Sequence, residues 1–303
     1  MSRIGHAPWS APALQLGRHY SLDGRKLFLC RSGSGGPSVV FVPGAGGVGL
    51  DWWGVQRRVA RWTTSVVYDR GGTGWSDRLE LPRPATDIAI ELRDLLRKAE
   101  IPGPYVLVAH SLGGAYARRF GQLFPHDVAA LLALDVITEE WDRHMPDTLK
   151  LRPQPMPGAT QLRLLSLSAR LFYRKMFSDW PDPPRTMLVA AHASMEWNLI
   201  AAAERSNQDA VIDEIRSGGP FPDVPMITVA ALGVDLGMRL YYRNSATLRQ
   251  LTEAKQRLYT TMADSTPQGE YRSVPNASHS TIHIDAADDV AQAIRDLLDR
   301  AVG

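Results

Sequence analysis

Short apolar runs alternate along this chain with segments that have the periodicity of helices. Most of these runs are apolar nearly throughout, as strands covered on both faces of a sheet must be. The strand-like runs are residues 26–30, 38–42, 64–68, 105–108, 128–134, 226–231 and 271–274, and the clearest helical patterns are residues 85–100, 112–123 and 286–301. The alternation predicts an α/β fold, with a mostly parallel central sheet and helices on both faces.

The alternation stops after residue 134 and resumes near residue 225. The segment between these points is rich in Arg, Met, Trp and Pro, and its pattern indicates helices and loops. We therefore expect a core domain built from residues 1–136 and 222–303. A helical cap or lid, residues 137–221, is expected to be inserted between the strands of that core.

Composition excludes several classes of function. Lys and Arg total 34 against 32 Asp and Glu, and this near balance argues against a nucleic acid as partner of the whole chain. Cys30 is the only cysteine, so neither an intrachain disulfide nor a multi-cysteine metal site can form. No signal-peptide pattern and no apolar run long enough to span a bilayer are visible. We expect a cytoplasmic protein without stable membrane insertion.

One turn in the chain is sharp and carries a serine. A predicted strand ends at residue 108 and a predicted helix begins at residue 112, which leaves only Ala109, His110 and Ser111 for the turn. A serine there is held in a strained backbone conformation, and its hydroxyl projects from the edge of the sheet. The alternative interpretation is an ordinary serine cap at the start of a helix.

The sequence AHSLG, residues 109–113, resembles the nucleophile elbow G-x-S-x-G of the α/β-hydrolase family, with alanine in place of the first glycine. This resemblance implies an α/β-hydrolase fold in which Ser111 is the nucleophile. With the further motifs described below, it covers residues 1–136 and 222–303, whereas the expected cap carries none of the family's motifs.

A serine hydroxyl is a weak nucleophile until a base removes its proton. The resemblance places that base at His279, in the loop between the last strand and the last helix. It leaves His110 as a pocket or packing residue and His283 as a packing or surface residue. The carboxylate partner is expected to be Asp235, which follows the next-to-last strand in the family's order of serine, acid, histidine. Asp135, at the end of the strand before the cap, is the alternative.

The resemblance also implies an oxyanion hole made of two backbone amides. One belongs to Leu112 at the start of the helix, and the other to Ala45 in the glycine-rich loop 41–49. In the next glycine-rich segment, Asp69 and Arg70 are expected to hold loops together beneath the site.

Two competing interpretations remain open. The sequence GAGGVG, residues 44–49, matches the dinucleotide fingerprint G-x-G-x-x-G, and Asp69 ends the next strand, which would fit an NAD(P)-dependent oxidoreductase. Against this interpretation, Asp51 would oppose a phosphate at the start of the following helix. The other alternative is a hydrolase-like shell that binds a small molecule with slow turnover or none.

The favoured function is a serine hydrolase that cleaves a carboxylic ester, lactone or thioester through Ser111, His279 and Asp235. A serine nucleophile argues against dehalogenase and epoxide-hydrolase chemistry, in which a carboxylate attacks carbon. No metal and no organic cofactor are implied. The expected partner is a small acyl substrate of apolar character.

The expected cap contributes the remaining functional hints. Residues 150–178 contain six basic side chains and no acidic one, with an amphipathic pattern over 162–177. Such a pattern is typical of a helix that packs its apolar side on the core, and attraction of an anionic substrate or a lipid surface is the alternative. Trp180, Met195 and Trp197 are candidates for lining an acyl pocket.

Overall fold

The computed structural model describes residues 15–152, 155–235 and 244–302. Its strands are β1 (Arg18–Leu22), β2 (Arg25–Ser32), β3 (Ser38–Val42), β4 (Ser65–Tyr68), β5 (Tyr105–His110), β6 (Val128–Leu134), β7 (Met226–Gly233) and β8 (Gly269–Ser278). They form one eight-stranded sheet in the order β1-β2-β4-β3-β5-β6-β7-β8. β2 pairs antiparallel with β1 and β4, and every other pair is parallel. The prediction of a mostly parallel sheet is confirmed.

The helices follow the strands in the order expected of an α/β chain. They are α1 (Trp53–Val59), α2 (Ala85–Lys98), α3 (Gly113–Leu123), α4 (Trp141–His144), α5 (Ala159–Met176), α6 (Pro184–His192), α7 (Met195–Arg205), α8 (Gln208–Ser217), α9 (Ser245–Ala263), α10 (Ile282–Asp285) and α11 (Ala287–Val302). Among the described helices, none combines the length and the apolar character needed to cross a membrane.

The sheet separates two hydrophobic clusters, and β3 shows how. Val40 and Val42 point to the side covered by α2, α3 and α9, whereas Val39 and Phe41 point to the side covered by α1 and α11. All four side chains are fully buried. Because successive residues of a strand face opposite sides, a strand between two layers of helices must be apolar at every position.

The chain between β6 and β7 contains helices α4 to α8 and, in its described part, no strand. This segment lies over the carboxyl edge of the sheet, and α7 touches the loop that follows β3. A Cβ atom placed on Gly46 of that loop would lie only 2.4 Å from the Cβ of Ala201. The close approach requires glycine at position 46, whose φ of +70° also favours it.

Helix α5 carries the amphipathic pattern but is only partly covered. None of its residues is fully buried, and the side chains of Leu164, Leu167 and Leu171 are 63%, 65% and 72% exposed. Its inner side consists of half-buried residues, which are Leu162, Ser166, Ala169, Tyr173 and Met176. The expected packing against the core is therefore present along one narrow stripe, and several leucines lie outside it.

Candidate active site

The carboxyl ends of the parallel strands bring the candidate residues together. β5 is followed by Ser111, β6 by Asp135 and β8 by His279, while the loop after β3 contains Ala45. Strands that run in the same direction end at the same edge of a sheet, so residues far apart in sequence meet there. The site is consequently assembled by the topology of the sheet.

Ser111 lies in the sharp turn between β5 and α3. Its φ of +53° is in the left-handed region, which costs a non-glycine residue about 1–3 kcal/mol. The turn is also crowded. A Cβ on Gly113 would lie 2.1 Å from the carbonyl oxygen of Val42, and a Cβ on Gly44 would lie 2.8 Å from the Cβ atom of Ser111. The residue at the N-cap of α3 is Leu112, so Ser111 is not a helix cap.

His279 follows β8 and faces the serine. Its Nε2 atom is 3.0 Å from the Oγ atom of Ser111. The ring of His110 packs against it at 4.8 Å between centroids, and the Nε2–H of His110 donates to the carbonyl oxygen of His279 over 2.9 Å. Burial, reinforced by His279 and His283, lowers the pKa of His110 well below its ordinary value. His110 is therefore a neutral donor that positions the loop of His279.

The carboxylate that contacts the imidazole is that of Asp135. Its Oδ2 atom is 2.7 Å from the Nδ1 atom of His279, and the side chain is almost fully buried. Asp235, which the sequence favoured, instead accepts a hydrogen bond from the hydroxyl of Ser278 over 2.6 Å. The preference for Asp235 as the partner of His279 is thus corrected: it stabilises the turn before the histidine, and Asp135 at the end of β6 reaches the ring.

A buried lysine explains how Asp135 remains charged. The Nζ atom of Lys255, on α9, is 2.7 Å from the Oδ2 atom of Asp135 and 2.5 Å from the carbonyl oxygen of Ala231. Burial alone raises the pKa of the Asp135 carboxyl, but the ammonium of Lys255 and the hydrogen bond from His279 outweigh it and hold that pKa below its usual range. The carboxylate is therefore ionised and firmly oriented.

Of the two residues whose amides are expected to form an oxyanion hole, Leu112 follows Ser111 in the chain and Ala45 lines the same cavity as Ser111. Neither the N–H of Ala45 nor that of Leu112 donates a hydrogen bond to another described residue. The carbonyl of Gly44 accepts from Arg70 over 2.9 Å. Because a trans peptide is planar, the N–H of Ala45 must point to the opposite side of that peptide, away from Arg70.

Arg70 and Glu204 connect the loop of Ala45 to the helices above it. The guanidinium of Arg70 donates to the carbonyl of Pro43 over 2.7 Å and pairs with Glu204 of α7 over 2.8 Å, with both side chains almost fully buried. Glu204 also accepts from the amide of Gly46 over 2.7 Å. Arg70 therefore has the loop-holding role expected from the sequence, and its carboxylate partner comes from α7.

The structure gives Asp69 a role unlike that required by a dinucleotide fingerprint. Its two carboxylate oxygens accept from the amides of Gly49 and Trp75, each over 2.8 Å, and the side chain is almost fully buried. Burial raises the pKa of Asp69 to about 7, although these two hydrogen bonds oppose the rise. A carboxylate engaged in this way is not exposed to the hydroxyls of a ribose.

Sequence reasoning missed Lys255 and Glu204. In α9, Lys255 shares the buried face with Leu251, Ala254 and Leu258. A cation at an apolar position of an amphipathic helix was the available signal, because a buried lysine requires a partner. Glu204 gave no comparable signal, since its partner Arg70 lies in another domain of the predicted layout.

Ser111 and His279 open into a cavity of about 350 Å³ beneath the helices that follow β6. Trp197 lines this cavity as expected. Trp180 lines an adjoining groove of about 760 Å³, which shares Met176 and His283 with the cavity but contains neither Ser111 nor His279, and Met195 is half exposed. The cavity wall is more polar than the sequence suggested. Its polar side chains include Asp51, His110, His192, Asn198, Arg205, Gln208 and His283.

Several solved structures of known proteins share the fold of this chain. Among solved structures, Cfl2 from Burkholderia cenocepacia superposes with a TM-score of 0.69 at 18% identity, covering 93% of this chain and 95% of Cfl2. An alpha/beta hydrolase fold protein from Burkholderia ambifaria has a TM-score of 0.62 at 18% identity, covering 93% of this chain and 97% of that one. At such low identity these likenesses show the fold alone.

Sequence relatives match over a shorter stretch. The uncharacterized protein YbdG of Bacillus subtilis (strain 168) is 28% identical over 117 residues, which cover 38% of this chain and 36% of YbdG. The chain therefore spans about a third of the length of that relative. The sequence model of the alpha/beta hydrolase family, in contrast, matches residues 39–293, most of the chain. The protein belongs to the alpha/beta hydrolase family.

Proposed function

We propose that the protein is a serine hydrolase that cleaves a carboxylic ester or a related acyl bond. The observation that carries this proposal is the unbroken set of contacts from Ser111 through His279 to Asp135, with distances of 3.0 Å and 2.7 Å. A base within hydrogen-bond reach of a hydroxyl, itself oriented by a buried carboxylate, is the arrangement that activates a serine nucleophile.

In the proposed reaction, His279 takes the proton of the Ser111 hydroxyl while Oγ attacks the carbonyl carbon of the ester. The carbonyl carbon becomes tetrahedral and its oxygen becomes an oxyanion, which the amides of Ala45 and Leu112 stabilise. When the intermediate collapses, the bond to the alcohol oxygen breaks and the alcohol leaves with the proton from His279. The acyl group is then bound to Ser111.

Water completes the cycle. His279 removes a proton from a water molecule, whose oxygen attacks the acyl carbon, and the free acid and the Ser111 hydroxyl are regenerated. Asp135 keeps the Nδ1 atom of His279 protonated, so Nε2 faces Ser111 as a proton acceptor. Its negative charge also stabilises the imidazolium that forms in both halves of the reaction.

Hydrolysis of p-nitrophenyl esters, from acetate to long acyl chains, tests the proposal. We expect the wild-type protein to release p-nitrophenol and Ser111→Ala to lose this activity while remaining folded. Ser280→Ala is a matched control, because Ser280 lines the same cavity, is exposed and is not the serine that faces His279. A fluorophosphonate should label wild type and Ser280→Ala but not Ser111→Ala.

Two outcomes would contradict this function. Undiminished turnover by a folded Ser111→Ala variant would remove the nucleophile assignment. If the folded wild type hydrolysed no ester, lactone or thioester and took up no fluorophosphonate, the site would belong to a binding protein that retains the elbow without the reaction.

A further inference from the structure

Three polar side chains that have no protein partner line the cavity that contains Ser111. They are the guanidinium of Arg205, the amide of Gln208 and the imidazole of His283. None of the three makes an ion pair or a side-chain hydrogen bond with another described residue. The ring nitrogens of His283 are buried without a partner, whereas the polar atoms of Arg205 and Gln208 are accessible in the cavity, so a ligand there can supply partners for these two side chains.

Arg205 carries the charge in this cluster. It is the last residue of α7, and the neighbouring carboxylate of Glu204 is already bound by Arg70 and the amide of Gly46. Burial lowers the pKa of the guanidinium, and Glu204 and Tyr173 only partly oppose this effect. The arginine remains cationic, because a guanidinium stays protonated in proteins. A partly buried cation without a counter-ion costs stability unless an anion binds to it.

Gln208 adds a neutral donor to the same wall, and His283 is a second neutral group there. Gln208, at the start of α8, is 8% exposed, and His283, in α10, is 6% exposed with both ring nitrogens unpartnered. Burial is the main cause that lowers the pKa of His283 to about 4, so its ring is neutral at pH 7. The amide of Gln208 can donate to an oxygen atom of a ligand, whereas the ring nitrogens of His283 are covered by protein atoms.

One carboxylate also lines the cavity, but other groups already satisfy it. Asp51 accepts from His192 over 2.7 Å and from the amide of Val48 over 2.9 Å, so each of its oxygens has a donor. No ion pair joins Asp51 to Arg205. The guanidinium is the one cationic side chain in this cavity wall, within the described residues, that lacks an anionic partner.

We propose that the natural substrate is an anionic ester in which a carboxylate, carried by the acyl or the alcohol part, binds to Arg205 with support from Gln208. This inference rests on the proposed function and specifies its substrate class. The planar guanidinium matches the two oxygens of a carboxylate, and a single arginine suits one negative charge better than a phosphate dianion. The apolar acyl substrate expected from the sequence would offer neither an anion to Arg205 nor an acceptor to Gln208.

The volume of the cavity favours a small substrate. About 350 Å³ is at the lower end of the range of roughly 300–1,000 Å³ that small-molecule sites occupy. A short chain between the ester and the carboxylate fits within the cavity, whereas a long acyl tail would have to extend into the adjoining groove of about 760 Å³, which shares Met176 and His283 with the cavity. The substrate class is the half-ester of a small dicarboxylic acid, or an ester of a small hydroxy acid.

Matched pairs of synthetic esters test the proposal. The acyl pair is p-nitrophenyl hemiadipate and its neutral methyl diester; adipate is chosen because shorter hemiesters cyclise to anhydrides without enzyme. The alcohol pair is 4-acetoxybenzoate and its methyl ester. We expect wild type to prefer the charged member of at least one pair in kcat/KM. In Arg205→Met, the charged-to-neutral ratio should fall roughly ten- to hundredfold, as when a charged hydrogen-bond partner is removed.

Arg163→Met is the control for a general change in charge. Arg163 is exposed on α5 and does not line the cavity, so this variant should keep the wild-type ratio. Arg205→Lys should recover only part of the preference, because an ammonium lacks the planar fork. If wild type hydrolyses the neutral esters at least as well as their charged partners, the carboxylate proposal is wrong although the hydrolase function stands.

Direct binding separates the proposal from catalysis. Isothermal titration of the Ser111→Ala variant with monomethyl adipate should show binding that Arg205→Met in the same background weakens by roughly tenfold or more. Dimethyl adipate should bind more weakly than the monoester. Equal binding of the two adipates would overturn the proposal, whatever the activity measurements show.

Discussion

At the residue scale, one carboxylate oxygen of Asp135 accepts hydrogen bonds from two side chains. Oδ2 of Asp135 lies 2.7 Å from both His279 and Lys255, and Oδ1 accepts from the amide of Ala231 over 3.1 Å. The sequence placed both Asp135 and Asp235 at strand ends next to the histidine loop. Chain order could not choose between them, because the choice depends on Lys255, which reaches Asp135 from a helix distant in sequence.

The two aspartates therefore differ in their expected effect on turnover. Asp135→Asn should lower kcat on a p-nitrophenyl ester by several orders of magnitude, about 10⁴-fold in a comparable triad, because the amide favours the wrong tautomer of His279. Asp235→Asn keeps the triad contacts and should change kcat only a few-fold. Steady-state kinetics of the two folded variants decides the matter, and a larger loss for Asp235→Asn would reverse the assignment.

Asp135 also makes stability depend on pH. Its carboxyl pKa is lower in the folded protein than in the unfolded chain, so below about pH 4 the unfolded chain binds more protons and unfolding becomes easier. This contribution is complete above the unfolded pKa and is lost as the pH falls through the folded pKa. Urea midpoints measured from pH 7 to pH 3 should therefore fall less steeply for the double variant Asp135→Asn/Lys255→Met than for wild type. Urea midpoints that fall equally steeply with pH in the two proteins would contradict this expectation.

At the element scale, the turn between β5 and α3 fixes the serine by crowding strand against helix. Gly113 faces the backbone of β3, where a Cβ would lie 2.1 Å from the carbonyl oxygen of Val42. A backbone atom in the middle of a sheet cannot move aside as the end of a side chain can. The sequence motif therefore requires a small residue at this position because α3 packs closely against β3 there.

Gly113→Ala should consequently destabilise the protein. We expect the free energy of unfolding to fall by about 1–3 kcal/mol through overpacking, although alanine is the better helix former by about 1 kcal/mol. Gly158→Ala is the control, since Gly158 has a φ of −71° and nothing within 4 Å of its Cβ position. Urea unfolding of both variants measures the difference, and equal stability would show that the turn can relax.

The sequence predicted elements best where two layers cover them. All seven predicted strands lie within observed strands or overlap them, because burial on both faces leaves a continuous apolar run. β1 was missed, since this edge strand has only exposed and half-buried residues and no apolar run. The boundaries of the expected cap, residues 137–221, remain a prediction.

At the scale of the whole molecule, α7 is joined to the core by two Glu–Arg pairs of different kinds. Glu204 and Arg70 form a buried pair, with exposures of 3% and 1%, whereas Glu196 and Arg78 form an exposed pair at 52% and 36%. Both distances are 2.8 Å. The difference in burial determines how much each pair contributes to the free energy of unfolding, because water screens an exposed pair whereas a buried charge depends on its partner.

The two glutamates should therefore respond differently to the same substitution. Glu204→Gln leaves Arg70 buried without its counter-ion and should lower the free energy of unfolding by about 3 kcal/mol or more. It should also lower kcat, because Arg70 orients the loop of Ala45. Glu196→Gln should cost less than about 1 kcal/mol and leave kcat unchanged. Urea unfolding and ester kinetics measure both effects, and similar losses for the two variants would contradict the distinction.

The left-handed backbone at Ser111, with a φ of +53°, means that selection for stability and selection for turnover favour different residues at this position. Glycine adopts this conformation without strain, so selection for stability alone favours glycine, while selection for turnover retains the serine. A descendant released from the need to react would gain stability by replacing Ser111 with glycine. Glycine at this position in a relative would therefore mark a scaffold kept for another purpose.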